Sequence, residues 1–286
     1  MSHAPQSPIL TAPRTLLTLP LLALLPDTAP AQERRPSHCI AIADATPGLQ
    51  YLRQASFREP VAEYSVRLTY VSHSSYLLQT PGGLSAITDY AGYHGNVDFI
   101  PDVVTMNHAH SSHFTSAPDP AIPHVLRGWS ETRGEAVDHH LDLGEMLIRN
   151  VSTDIRSWDG AEENGNSIFV FEVEGLCIGH LGHLHHEPND EQYAALGRLD
   201  VLMVPVDGGL TLDTASMVRV VERLRSSIVL PMHWFSDRSL GSFLDGVSDV
   251  FAVVNEGENA LEISLRDLPA RPTVHVLRPA YLREAE

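Results

Sequence analysis

The sequence predicts a mixed α+β or α/β fold, in which an antiparallel β-meander is followed by strands that alternate with helices. Three observations predict it. Strand-like runs, some alternating and some continuously apolar, recur from Glu63 onward. Helical periodicity enters in the last third of the chain. Three buried strand candidates also end in histidine, at His108, His180 and His233, and strand ends are where open α/β sheets hold ligands.

At 286 residues and 43% hydrophobic composition, the chain can bury one substantial core. A formal charge of -17, with no lysine anywhere, argues against nucleic acid and anionic membrane surfaces as partners. A lysine Schiff base is excluded, and the expected partner is a small-molecule substrate. The oligomeric state is left open. Cys39 and Cys177 form no C-x-x-C, which removes a redox motif and a Cys-type zinc site and leaves a disulfide between them open.

Arg14 precedes the apolar run from Thr15 to Leu25, and Ala29-Pro-Ala31 has the small-x-small pattern of a cleavage site. Residues 1–31 therefore read as a signal peptide, with a periplasmic or secreted destination and no membrane attachment once the leader is removed. Residues 32–62 read as an N-terminal extension lying on the domain, and residues 63–286 as the domain itself.

Tyr64 to Val71 alternates, Ser75 to Thr80 follows, Pro81-Gly-Gly83 turns the chain, and Leu84 to Thr88 returns toward Asp89. His73, between the first two strands, reads as a structural hydrogen-bonding residue. Asp89, at a strand end, is placed to orient a metal-bound histidine.

The next strand runs from Asp102 to Asn107 and opens into His108-Ala-His110-Ser-Ser-His113. In extended backbone residues i and i+2 point the same way, so His108 and His110 are expected to face one point, with a turn bringing His113 round. Neutral imidazoles converging like this suit a divalent metal. A loop rich in Pro and Asp follows, then strands near His124 and from Met146 to Val151. Ser167–Val173 and Leu176–Gly179 form a second hairpin, opening into His180-Leu-Gly-His183-Leu-His185-His186. Asp200–Pro205 is a buried strand, Leu212–Leu224 an amphipathic helix capped near Thr211 or Asp213, and Ser227–Pro231 a further strand ending at His233. A short helix from Leu240 to Val247 and strands near Leu261 and Thr273 complete the chain.

Several of these pieces, Ser72-His-Ser-Ser-Tyr, Ile87-Thr-Asp89, His108 to His113, Cys177-Ile-Gly-His-Leu-Gly-His183, Val204-Pro-Val-Asp-Gly-Gly209 and Leu230-Pro-Met-His233, together resemble the metallo-β-lactamase superfamily. The likeness is nearest to its ascorbate-phosphate-lactonase-like hydrolases, and it spans about Tyr64 to Leu277. It implies a four-layer αββα sandwich with mixed sheets. It also implies an edge site for one or two metals, usually zinc, and hydrolysis of esters, lactones, amides or phosphoesters.

Departures from the family's H-x-H-x-D-H pattern shape the expected site. Ser112 stands where the family has aspartate, His183 where it has a bridging carboxylate, and no histidine falls near Ser152-Thr-Asp154. An imidazole does not bridge as a carboxylate does, so one ion is expected rather than two, zinc first with iron or manganese also compatible. Its ligands are expected among His108, His110, His113, His183 and His233. Such an ion lowers the pKa of bound water toward neutrality, and the resulting hydroxide is the expected nucleophile. Asp89, Asp154 and Asp207 are the catalytic carboxylate candidates for moving the proton. The expected function is thus an exported metal-dependent hydrolase of a small ester, lactone or phosphoester. The alternative is a non-hydrolytic periplasmic relative that binds metal or ligand.

Overall fold

The structure is a computed structural model. It describes residues 1, 35, 37–41 and 57–284, apart from 109, 159 and 256. The expected signal peptide, beyond Met1, and most of the expected N-terminal extension lie outside the described residues. The chain divides into Met1–Glu33 and Arg34–Glu286, and everything below belongs to the second unit.

Fourteen strands among the described residues form two mixed sheets. The first contains β1 (Ser65–Ser72), β2 (Ser75–Gln79), β3 (Ser85–Ile87), β4 (Val103–Met106) and β5 (His124–Arg127), joined late by β13 (Ala260–Ser264) in the order β13-β1-β2-β3-β4-β5. The second contains β6 (His140–Asp142), β7 (Met146–Ser157), β8 (Gly160–Val173), β9 (Leu176–His180), β10 (Val201–Pro205), β11 (Ile228–Met232), β12 (Ala252–Asn255) and β14 (Thr273–Val276), in the order β12-β14-β11-β10-β9-β8-β7-β6. Helices α2 (Asp190–Leu196), α3 (Thr214–Leu224) and α4 (Asp237–Val247) follow the single turn α1 (His38–Ala41).

Side-chain alternation builds the layers. Phe169 and Phe171 of β8, with Val201 and Met203 of β10, face Val66, Leu68 and Tyr70 of β1, and this interleaved core joins the two sheets. The opposite faces of the same strands, Ile168, Val170, Leu202 and Val204, lie under Leu196 of α2, Val220 of α3 and Phe243 of α4. On the outer face of the first sheet, Val71, Leu77, Ile87, Val104 and Met106 are covered by Phe57, Ile122, Phe99 and Leu282 from irregular segments. The strands that read as continuously apolar, β10 and β11, are buried along their whole length and pair in parallel, as expected of strands covered on both faces.

Topology then gathers the site. β3 and β4 are parallel, and β9, β10 and β11 are parallel to one another. The residues that follow these strands therefore emerge at shared sheet edges: Asp89 after β3, the His108–His113 turn after β4, His183 after β9, Asp207 after β10 and His233 after β11. Cys39 of α1 is disulfide-bonded to Cys177 of β9, which resolves the pairing that the sequence left open.

Candidate metal centre

Five imidazoles converge here. One nitrogen from each of His73, His110, His113 and His233 lies within 4.8 Å of the others. His183 joins them, its Nε2 at 3.2 Å from Nε2 of His110. His113 and His233 are fully buried.

Each buried ring is aimed by what holds its other nitrogen. His113 Nδ1 lies 2.7 Å from Oδ2 of Asp89, with Ser74 Oγ at 3.1 Å. His233 Nδ1 lies 2.9 Å from Oδ2 of Asp207. Burial alone would raise the Asp89 carboxyl, but the charges of His113 and His180 and the hydrogen bonds from His113 and Asn107 hold it well below the usual carboxylate range. Asp207 is lowered in the same way, the burial penalty being outweighed by hydrogen bonds from His233, Thr211 and the amide of Gly209. Ionised carboxylates only accept hydrogen bonds, so both histidines carry their proton on Nδ1.

That fixes the chemistry at the centre. Nε2 of His113 and Nε2 of His233 stand 3.2 Å apart, and in the neutral, Nδ1-protonated form of each ring both would present a lone pair. Two acceptors facing at that distance call for a cation between or beside them. A divalent metal bound by neutral imidazoles satisfies this demand, and the carboxylate behind each ring is the usual support for a metal-bound histidine. His73 adds a buried Nε2 with no hydrogen-bond partner. Burial, then the neighbouring charges of His233, His113 and His110, push its pKa down to about 3, which favours the neutral ring, with one nitrogen able to bind a metal. The donor set therefore fits a metal such as zinc.

The backbone is held to this arrangement. His73, Asp89 and His233 have φ of 46°, 44° and 55°, the left-handed region that non-glycine residues adopt at a cost of about 1 kcal/mol or more each. The amide of His233 donates to the carbonyl of His73 at 2.8 Å, tying the two rings' backbones together. Asn107 donates to Asp89 Oδ1 at 2.7 Å and accepts from the Ser167 amide at 2.9 Å. Against it lies Gly182, at φ 59°, where an added Cβ would stand 2.4 Å from Asn107 Nδ2.

The sequence expectations fare unequally in this geometry. His110, His113 and His233 are brought together with His183, but His108 is not. β4 ends at Met106 and the chain then turns, His113 donating to the carbonyl of His110 and Asn107 to that of His113. The i, i+2 rule holds only for extended backbone, so His108 points elsewhere. It stacks on Trp129 at 4.9 Å, with Nδ1 3.7 Å from Glu162. His73, read from the sequence as structural, joins the cluster, and its place in a tight two-residue turn at the sheet edge was the available signal.

The three carboxylate candidates are placed unequally. Asp89 and Asp207 lie against the Nδ1 sides of His113 and His233. Asp154 accepts the amide of Asn164 at 3.0 Å at the bulge between β7 and β8 and is not among the groups gathered at the centre. Ser112 does touch the site, its hydroxyl 2.7 Å from His110 Nδ1.

A cleft of about 570 Å³ opens beside His110 and His183. Its walls include Ile155, Trp158, Leu210 and Glu162. Trp158 is 95% exposed and Leu210 60% exposed at its rim. The Arg156 guanidinium is turned to the carbonyls of Gly209, Leu210 and Thr211, bonding the last at 2.7 Å.

The chain is similar in sequence and fold to known proteins. The model of the Beta-lactamase superfamily domain matches residues 67–233, more than half of the chain. A protein named as a UPF0173 metal-dependent hydrolase from Methanosphaerula palustris is 23% identical over 185 residues, covering 59% of this chain and 84% of its own length. A namesake from Nanoarchaeum equitans is 24% identical over 187 residues, covering 59% and 84%. Among solved structures, a member of the metallo-β-lactamase superfamily from Thermotoga maritima is 26% identical and superposes with a TM-score of 0.53 over 74% of this chain and 98% of its own. A metallo hydrolase from Ignicoccus hospitalis shares the fold at 16% identity, with a TM-score of 0.53 over 70% and 99%.

Proposed function

From the premise that this chain belongs to the β-lactamase superfamily domain family, we propose that it is a metal-dependent hydrolase of an uncharged ester or lactone. The observation that carries the reading is the pair of facing Nε2 atoms of His113 and His233, 3.2 Å apart, each ring backed by a carboxylate at Nδ1. His73, His110, His113 and His233 would hold one ion, zinc in the first instance. Such an ion supplies acidification of water and polarisation of a carbonyl oxygen.

The chain's own residues do the rest. Asp89 and Asp207 fix the tautomers of His113 and His233, and the Ser112 hydroxyl steadies His110. The cleft receives the acyl or ring portion of the substrate against Ile155, Trp158 and Leu210. An ester or lactone is favoured over a phosphoester by charge. Nη2 of the Arg156 guanidinium is engaged by backbone carbonyls, which turns that edge of the group away from a ligand, and Glu162 lines the same cleft with its side chain 19% exposed. A phosphate oxygen there would meet a carboxylate.

The test is turnover of p-nitrophenyl butyrate and of bis-p-nitrophenyl phosphate by the full chain. Hydrolysis of the ester, abolished by chelator and restored by one equivalent of zinc, is the expected result. Metal bound without turnover of any ester or lactone would sink the reading and favour a non-hydrolytic binding protein. Preference for the phosphodiester would sink the substrate assignment alone.

We also propose that the protein is exported to the periplasm or beyond. The Cys39–Cys177 cystine supports this, since such bonds persist in oxidising compartments. Cell fractionation checks it, and recovery in the cytoplasm with both thiols reduced would overturn it.

A further inference from the structure

Resting on the hydrolase reading above, we infer that His183 is a catalytic hydrogen-bond donor to the substrate oxygen at this centre and does not ligate the metal. One chain of hydrogen bonds runs inward from a backbone amide to this ring. The amide of Arg156 lies 2.6 Å from Nδ1 of His185. A backbone N–H always donates, so that nitrogen of His185 must be the acceptor, and the neutral ring carries its proton on Nε2. His185 Nε2 in turn lies 2.8 Å from Nδ1 of His183. The proton it carries is donated there, which makes His183 Nδ1 an acceptor and leaves the proton of neutral His183 on Nε2.

That is the opposite tautomer from His113 and His233. Those rings give their Nδ1 protons to carboxylates and turn lone pairs inward, whereas His183 turns an N–H inward. A metal needs a lone pair, so His183 is unsuited to bind one through the nitrogen that faces the cluster. Its contact with His110, 3.2 Å between the two Nε2 atoms, is a donor meeting an acceptor and requires no cation. His110 accommodates this because its Nδ1 contacts the hydroxyl of Ser112, which can donate or accept. His183 and His110 line the same cleft, so with the His110 lone pair held by a metal the N–H of His183 would be left for a substrate oxygen bound there.

The donor is rigidly placed. His183 is 3% exposed, and its amide is bonded to Asn166 Oδ1 at 3.0 Å. No proton need be transferred: a neutral N–H aimed at the carbonyl oxygen stabilises the negative charge that gathers there as the acyl carbon is attacked. His185 and the Arg156 amide act through His183 and are positioning groups.

Two measurements decide the matter on the full chain. The first is the histidine 15N spectrum of the metal-free protein, which does not depend on any activity. The expected result is the Nε2–H form for His183 and His185 and the Nδ1–H form for His113 and His233. An Nδ1–H form of His183 would overturn the inference even if the protein proves a good hydrolase. The second compares His183→Gln and His183→Ala with His233→Ala for bound zinc and for turnover of p-nitrophenyl butyrate. Both His183 variants are expected to keep the wild-type zinc count. His183→Ala is expected to lose about 100-fold in kcat with KM changed less than about threefold, while His183→Gln, which restores an N–H near Nε2, recovers about tenfold of that loss. Zinc lost from both His183 variants, as from His233→Ala, would overturn it. If the wild-type chain shows neither zinc binding nor turnover, the hydrolase reading fails, the proposed donor has no oxygen to serve, and the spectrum then decides only the tautomer assignment.

Discussion

Asp207 accepts hydrogen bonds from His233 and from the amides of Gly209, Leu210 and Thr211, so it cannot shuttle protons without releasing the loop it organises. Asp207→Asn places an N–H where His233 needs an acceptor and drives that ring toward the wrong tautomer. Zinc affinity should fall about 10–100-fold, read by calorimetric titration. The histidines themselves set the pH response of the metal-free chain. Burial, then the charges of His113 and His233, lower His183 to about 2, and His73 and His185 are lowered to about 3 and about 4. An unfolded imidazole titrates near about 6.5, so below that pH protons bind the unfolded chain first. Stability is therefore full above about pH 6.5 and falls as pH drops from there toward the folded values. For the well-buried His183 the loss is on the order of 1 kcal/mol per pH unit. Urea midpoints in chelator at pH 7.5 and 5.5 measure it; equal midpoints would contradict the assigned burial of these rings. Asp89 and Asp207, lowered instead from the carboxylate range, withdraw their support only below about pH 4.

The strands ending in histidine were legible as elements because continuous apolar runs announce buried strands at any position. α3 was equally plain. Its N-cap is Asp213, which accepts the Ser216 amide at 3.0 Å, and Asp213→Ala should cost about 1 kcal/mol by thermal or urea unfolding. What the pattern hid were elements with little apolar content. α2 is a seven-residue helix held by the Asn189–Gln192 capping box and buries only Tyr193 and Leu196. The outer part of the β7–β8 hairpin runs to Ser157 and resumes at Gly160 through mostly polar residues, so sequence alternation stopped several residues short of it. That extension carries Trp158 to the rim of the cleft. Trp158→Ala should raise KM for p-nitrophenyl butyrate several-fold and that for the acetate less, because the longer acyl chain has more apolar surface to bury against the indole.

Across the whole molecule, the Cys39–Cys177 bond closes a sequence separation of 138 residues and fixes α1 to β9. Glu172 of β8 sits beside it, accepting the His38 amide at 3.0 Å and pairing with Arg149 at 2.9 Å. Reduction, or Cys177→Ser, should lower stability by about 2–4 kcal/mol, seen as a lower melting temperature. An unchanged melting temperature would mean that this cystine does not constrain the unfolded chain. The sequence by itself determined the sheet-rich α/β class, the family resemblance and the sheet edge where histidines collect, because strand periodicity and motif spacing are local properties. Only the tertiary structure decided that His73 joins the cluster, that His108 leaves it, and that Asp89 and Asp207 orient rings. The physical reason is that a histidine's role depends on which of its nitrogens holds the proton, and that is set by partners far away in the chain. His113 takes its tautomer from Asp89, 24 residues back, and faces His233, 120 residues on.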